Sequence, residues 1–463
     1  MTTNLIDQRK SSILSILLFV IMMISGCDTV QSTSNTKLKE HPNITKLKNQ
    51  SKEFTPDIIQ LNENIYVAVG YDGSNTSMII GEDGVIIVDA LRALGAAEKV
   101  AKKFREITSK PVKALIYTHG HQDHTGGASA FIGNNKSVKI IARTGFKEEL
   151  QENSPVKPIL QKRNARQFGR DLPLQDIINR GVTAGVTSKD RVGKGYIKPN
   201  LTFNDSLSVS FAEVDLQLYA VNGETNDGLF VWVPSEEALF VGDNYYNAFP
   251  NLYAIRGSRY RDVQAWGIAI NEMSNYPADY LIPGHTRPLS GKKTVHENLR
   301  NYGKAITFVY DKTIECMNKG YTLEQTVEAV QLPNTLKNRP NLQEFYGSVP
   351  WGVRSIFTHY VGWFDGNPTD LYPLALKEEA ENIITLAGGE ERLFEVLKKT
   401  INEESFQWGL QLSDYLLQIN YHRKAVVQLK VKCLRGLAAQ QINAPARNYY
   451  LSYAYELEEP KRN

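Results

Sequence analysis

The stretch Tyr117-Thr118-His119-Gly120-His121-Gln122-Asp123-His124-Thr125-Gly126-Gly127 holds three of the eight histidines in the chain, with a carboxylate between two of them. Imidazole nitrogen and carboxylate oxygen are the ligands that borderline metals such as zinc accept. His119, His121, Asp123 and His124 offer both within six positions. Just upstream, Ala114-Leu-Ile-Tyr-Thr118 is short, apolar and β-prone, as a buried strand requires. Gly126-Gly127 is expected to open a helix. The ligands then sit on a strand-to-helix loop at the carboxyl end of a strand, where α/β folds concentrate their chemistry.

Outward from this cluster, short apolar runs at 65–69, 78–80 and 85–89 are separated by Gly and Asn turns, the pattern of successive hairpins. Helical spacing of apolar residues over 92–107 precedes the strand that feeds the histidines, and further strands are expected at 138–142, 208–211, 216–221, 229–233 and 238–242. Two mixed sheets with helices outside them follow from this order. Histidines alone do not complete a two-metal site, so carboxylates and histidines at other strand ends become candidates. Glu224 lies in the polar turn Val221-Asn-Gly-Glu-Thr-Asn-Asp-Gly228, Asp243 directly follows Leu239-Phe-Val-Gly, and His285 ends Tyr280-Leu-Ile-Pro-Gly-His. Four segments then supply six or seven ligands, the number two metals need once a bridging water is counted.

A chain of 463 residues with 42% apolar content predicts two or more domains with substantial cores. The net charge of +3 on 53 basic and 50 acidic side chains gives no electrostatic basis for a nucleic-acid partner. Arg9 and Lys10 precede an apolar run from Ile13 to Ile24, of signal-peptide length, that ends in Ile24-Ser-Gly-Cys27. That ending resembles a bacterial lipobox, so residues 1–27 are expected to be a lipoprotein signal peptide. Cys27 would be the lipidation site, tethering the protein to a membrane of the bacterial cell envelope. Residues 28–53 are rich in Ser, Thr, Asn and Lys and are expected to form a disordered tether, with folding beginning near Phe54. A catalytic domain over 54–300 and an all-α domain over 301–463 complete the expected organisation, the latter with breaks near Gly388-Gly389, Asn420-Tyr421 and Asn443-Ala-Pro445. Cys316 and Cys433 fall in helical patterns and are expected to be free buried thiols.

The pattern His-x-His-x-Asp-His followed by Gly-Gly resembles the signature of the metallo-β-lactamase superfamily. With Glu224 where most members carry histidine, it looks like the alkylsulfatase branch. Asn251-Leu-Tyr-Ala-Ile-Arg-Gly257 is similar to that branch's sulfate-binding stretch, and Gly362-Trp-Phe-Asp-Gly-Asn-Pro368 to another of its hallmarks. The resemblance implies an αββα sandwich followed by an all-α dimerisation domain, hence a homodimer. It also implies two zinc ions and hydrolysis of alkyl sulfate esters to alcohol and sulfate by a metal-bound hydroxide, with Asp123 at the catalytic centre. Residue by residue, it puts His119, His121 and Glu224 on one zinc, Asp123, His124 and His285 on the other, Asp243 between them, and Asn251 and Arg256 on the sulfate. Tyr196 and Tyr360 are candidate pocket residues, and the aromatic run 345–354 a candidate cradle for an alkyl chain. Asp243 stands where the branch usually has glutamate, and Trp351 where well-known members carry a histidine proposed as general acid. The sterol-carrier-like C-terminal domain that many members carry is not expected after the helical domain. Two rival functions are a hydrolase of another ester, lactone or phosphoester on the same fold, and a non-catalytic envelope scaffold whose helical half is the working part.

Overall fold

The computed structural model describes residues 40–146 and 155–459. Strand β10 (Gly228–Val233) shows how the layers arise, because all six of its residues are buried. Successive side chains of a strand point to opposite faces. Leu229, Val231 and Val233 therefore enter one apolar cluster, and Phe230 and Trp232 another.

The first cluster lies between two sheets. One holds seven strands in sequence order: β1 (Asp57–Gln60), β2 (Ile65–Val69), β3 (Thr76–Ile80), β4 (Val85–Val88), β5 (Val112–Ile116), β6 (Lys139–Arg143) and β7 (Leu201–Phe203). It is antiparallel from β1 to β4 and parallel from β4 to β7. The other runs β13 (Leu289–Ser290), β12 (Tyr280–Pro283), β11 (Ala238–Gly242), β10, β9 (Val214–Val221), β8 (Ser206–Phe211), with only β11 and β12 parallel. Ile65, Val67, Ile86 and Ile116 of the first sheet meet Leu216, Leu218 and Phe240 of the second. The Leu94–Ile107 helix covers the outer face of the first sheet through Ala97, Val100 and Phe104. The Val263–Met273 and Lys292–Asn318 helices cover the second through Trp266, Ile270, Leu299 and Ile306. The result is the expected αββα sandwich, followed by helices only.

Two expectations need correction. Part of the stretch expected to be a tether is folded: residues 42–50 form a helix with buried side chains. The Pro42–Gln50 helix has Pro at its start, the His41 ring accepts the Asn43 N–H at 3.2 Å, and Ile44 and Leu47, three residues apart, face inward. Leu47 packs with Val182, Tyr246 and Ala444, partners distant in sequence that a low apolar content conceals. The glycine pair also opens only a four-residue helix, Ser129–Ile132. The turn comes earlier, at Gln122–Thr125, and Gly126 caps it. A Cβ on Gly127 would stand 2.5 Å from the Ala90 carbonyl oxygen, so glycine here lets the ligand loop lie against the loop after β4.

The C-terminal helices Leu376–Leu386, Glu390–Asn402, Phe406–Gln418, Arg423–Gln440 and Ala444–Glu458 break where Gly388-Gly389, Asn420-Tyr421 and Asn443 stand, with one further break at 403–405. The Asn443 side chain caps the last helix and donates to the carbonyls of Glu344, Tyr346 and Gly347. Cys316 and Cys433 are free and buried. The signal-peptide and lipidation expectations, Cys27 included, lie outside the described residues. No helix among the described residues is long and apolar enough to cross a membrane.

Candidate metal centre

Every expected ligand arises at a strand end on one rim of the sandwich. His119 follows β5, Glu224 sits in the turn between β9 and β10, Asp243 follows β11 and His285 follows β12. Backbone bonds fasten these loops together. Leu229 N–H donates to the Thr118 carbonyl at 2.9 Å, Gly284 N–H to Gly242 at 2.8 Å, and Asn75 N–H to Gly284 at 2.7 Å.

Two sets of three ligating atoms lie within 4.8 Å of one another, His119 with His121 and Asp243, and Asp123 with His124 and His285. Asp243 stands between the sets. Its Oδ1 is 3.3 Å from His124 Nε2, and its Oδ2 is 3.2 Å from His285 Nε2 and 3.7 Å from His119 Nε2. A Cβ on Gly284 would come 2.5 Å from Asp243 Oδ1, so only glycine leaves room for this arrangement.

The electrostatics follow from that crowding. Burial alone would raise the Asp243 carboxyl, but the rings of His285, His124 and His119 outweigh it and hold the group well below the ordinary carboxylate range. Burial would lower His124, yet Asp243, Asp89 and Asp123 push it well above an ordinary histidine. His121 is held well below, by burial and by the adjacent His119 and Arg256. His124 Nε2 and Asp243 Oδ1 face each other without a hydrogen bond of acceptable geometry, and buried Glu224 Oε2 has no partner. Buried orphans on this donor set are the atoms a divalent cation satisfies, so the residues fit metal ions of the zinc class.

Glu224 is not within either compact triad. Its Oε1 forms an ion pair with Arg261 Nη1 at 2.7 Å, and the same nitrogen donates to the Asn251 carbonyl at 2.6 Å. One buried guanidinium thus fixes both the expected metal glutamate and the expected sulfate-binding segment. Burial raises the Glu224 carboxyl despite Arg261 and Arg256. Arg256 lines a solvent-open cleft of about 670 Å³ together with His121, Asp123, Glu224, Asp243 and His285. Asn251 is buried outside that lining, its N–H donating to the Tyr246 hydroxyl.

Two residues that matter were not apparent from sequence. Arg261 is one. The other is Asp89 at the end of β4, whose carboxylate accepts from Thr118 N–H and Oγ1 at 2.8 Å and lies 2.7 Å from His124 Nδ1. That contact directs His124 Nε2 at the cluster. Its position directly after an apolar strand is the signal that singled out Asp243. The candidate pocket tyrosines do not line the cleft. Tyr196 packs against Tyr117 with ring centroids 6.1 Å apart, and the Tyr360 hydroxyl bonds that of Tyr310. Of the aromatic run, only Tyr346 reaches the cleft; Phe345 packs with Val182 and Ala444, and Trp351 is half-buried in the Val349–Val361 helix.

Residues 69–285 match the metallo-beta-lactamase superfamily profile, and residues 322–460 match the alkyl sulfatase dimerisation profile. A linear primary-alkylsulfatase from a Pseudomonas strain is 34% identical over 389 residues, covering 82% of this chain and 73% of the relative. This chain belongs to the alkylsulfatase family of the metallo-β-lactamase superfamily. Family members are sulfuric ester hydrolases. An (R)-specific secondary-alkylsulfatase from Pseudomonas is 27% identical, covering 86% of this chain and 62% of its own length. The solved structure of a stereoselective inverting sec-alkylsulfatase from Pseudomonas superposes with a TM-score of 0.82 at 25% identity, covering 90% of this chain and 68% of that one. The mixed α/β domain followed by helices is thus the alkylsulfatase architecture.

Proposed function

We propose that the protein hydrolyses sulfate esters of small alcohols, ROSO3⁻ + H2O giving ROH, SO4²⁻ and H⁺, at a centre for two zinc-class ions. The observation that carries this is the placement of Arg256 on the same cleft wall as two ligand triads that share Asp243. Two bound ions would supply a water acidified toward neutral pH and withdraw charge as the ester bond breaks. Arg256 offers a planar fork of donors that matches a tetrahedral sulfate. Asp123 Oδ2, 3.5 Å from His285 Nε2 on a side chain 26% exposed to the cleft, is placed to accept a proton from the attacking water. Arg261, 2.7 Å from Glu224 Oε1, sets a positive charge against it beside them.

The test is a purified, metal-loaded protein offered sulfate esters beside lactone and phosphodiester substrates. Sulfate release supports the proposal; turnover confined to the other classes overturns it. Reaction in heavy-oxygen water assigns the cleaved bond, since label in sulfate means attack at sulfur and label in the alcohol means attack at carbon.

Metal uptake is expected to weaken as pH falls. His124 and His285 are raised in the metal-free chain, burial being outweighed by Asp243 and neighbouring carboxylates, so protons compete with the ion below their elevated pKa values. Equilibrium dialysis across a pH series, with bound metal measured at each step, checks the sign.

The helical domain supports a homodimer. Trp363 is 73% exposed, Tyr372 94% and Leu386 84%, large side chains left uncovered by the chain itself. Trp363→Ser with Tyr372→Ser is expected to convert dimer to monomer in light scattering, and an unchanged mass would exclude this surface as the contact. We further infer anchoring to a bacterial envelope membrane through Cys27, supported by the basic residues, apolar run and Ile24-Ser-Gly-Cys27 ending of residues 9–27. Cys27→Ser should leave the protein unlipidated, and unchanged detergent partitioning would refute the anchor.

A further inference from the structure

The cleft is more basic than cleavage of one sulfate monoester requires. Besides Arg256, its lining includes Arg92, Arg170 and Arg180, against Phe168, Val182 and Tyr346 as the large apolar side chains. Arg92 Nη2 and Arg180 Nη1 converge on a single hydroxyl, Thr187 Oγ1, each at 2.9 Å. The Nε atoms of both arginines are enclosed and make no hydrogen bond. The nearby carboxylate, Asp72, is 3.8 Å from Arg92 and accepts from Ala93 N–H. Burial raises the Asp72 carboxyl despite Arg92. Burial and the neighbouring Arg92 and Arg170 push Arg180 down to about 10. Like charges gathered in one place are costly, and an oxyanion arriving between them offsets part of that cost through charge-assisted bonds.

Arg256 and Arg261 bear on His121 and Glu224, whereas Arg92 bears on Asp72, and Arg92, Arg180 and Arg256 line one cleft together with the candidate metal ligands.

Resting on the sulfatase function above, we propose that the preferred substrate carries a second oxyanion on its alcohol portion, a carboxylate or another sulfate, seated on Arg92, Arg180 and Thr187 while Arg256 receives the reacting sulfate. A short sulfated hydroxy acid satisfies both ends. A bare alkyl chain would offer nothing to the converging guanidinium groups and would meet few apolar walls.

The experiment measures kcat/KM for ω-sulfooxy carboxylates of about three to eight carbons, for the alkyl sulfates of equal length and for the corresponding bis-sulfates. At the matching length the full chain is expected to favour the dianion by on the order of 10- to 100-fold. The carboxylate and bis-sulfate arms identify which oxyanion is preferred. In Arg180→Met the ratio of dianion to alkyl sulfate should fall to about one, with Arg180→Lys keeping part of it. Equal or better turnover of plain alkyl sulfates by the wild-type chain overturns the second-anion site and leaves the sulfatase function standing. A ratio undiminished in Arg180→Met, or equal losses on both substrates, assigns Arg180 to another role and also overturns it. Release of sulfate from none of the esters removes the underlying function, and the subsite with it.

Discussion

Asp243→Asn is expected to lower kcat/KM for sulfate release by about 10³-fold or more, on the order of 4 kcal/mol of transition-state stabilisation. Asp243 touches both ligand sets, with His124 and His285 ring nitrogens 3.3 and 3.2 Å from its two oxygens. An asparagine keeps the shape, removes the negative charge that counters three histidines and presents an N–H where a ligand oxygen belongs. Both ions should be weakened together. Elemental analysis of the variant after desalting is expected to find one ion or none where the parent holds about two. Retention of the parent's metal content with activity within about tenfold of it would show that Asp243 is not shared between the ions.

Arg261→Met is expected to destabilise the folded chain by about 3–5 kcal/mol, because it strands a buried carboxylate. Glu224 is 6% exposed, its Oε1 is held by Arg261 and its Oε2 has no partner. Loss of the guanidinium also frees the Asn251 carbonyl, so the segment bearing Arg256 loses its anchor. Thermal unfolding should shift down by several degrees and substrate KM should rise. Adding Glu224→Gln to Arg261→Met is expected to recover part of the stability without restoring sulfate release. A double variant no more stable than Arg261→Met would place the cost in lost packing rather than in the unpaired charge.

The histidine cluster was legible because its ligands are local: His119, His121, Asp123 and His124 share one turn, and their chemistry needs no distant partner to be recognised. Glu224, Asp243 and His285 were candidates by position, since a polar residue directly after a buried strand sits on the rim where loops converge, and the fold brings Asp243 and His285 to the histidines while Glu224 lies outside both triads. The same rule applies to Asp89, but a single aspartate ending a β-run looks like any turn residue until His124 is seen 2.7 Å away. The Pro42–Gln50 helix was hidden by composition, because its stability comes from Val182, Tyr246 and Ala444, between about 130 and 400 positions along the chain.

Sequence by itself pointed to the candidate metal ligands, to most of the strands along the chain and to the αββα class, all of which depend on residue type and short-range periodicity. Tertiary structure alone decided that Asp243 lies between the two triads, that Arg261 clamps Glu224 to the Asn251 backbone, and that Arg92 and Arg180 meet on Thr187. The physical reason is that charge interactions depend on distance in space and on burial, and neither is encoded in the spacing of residues along the chain.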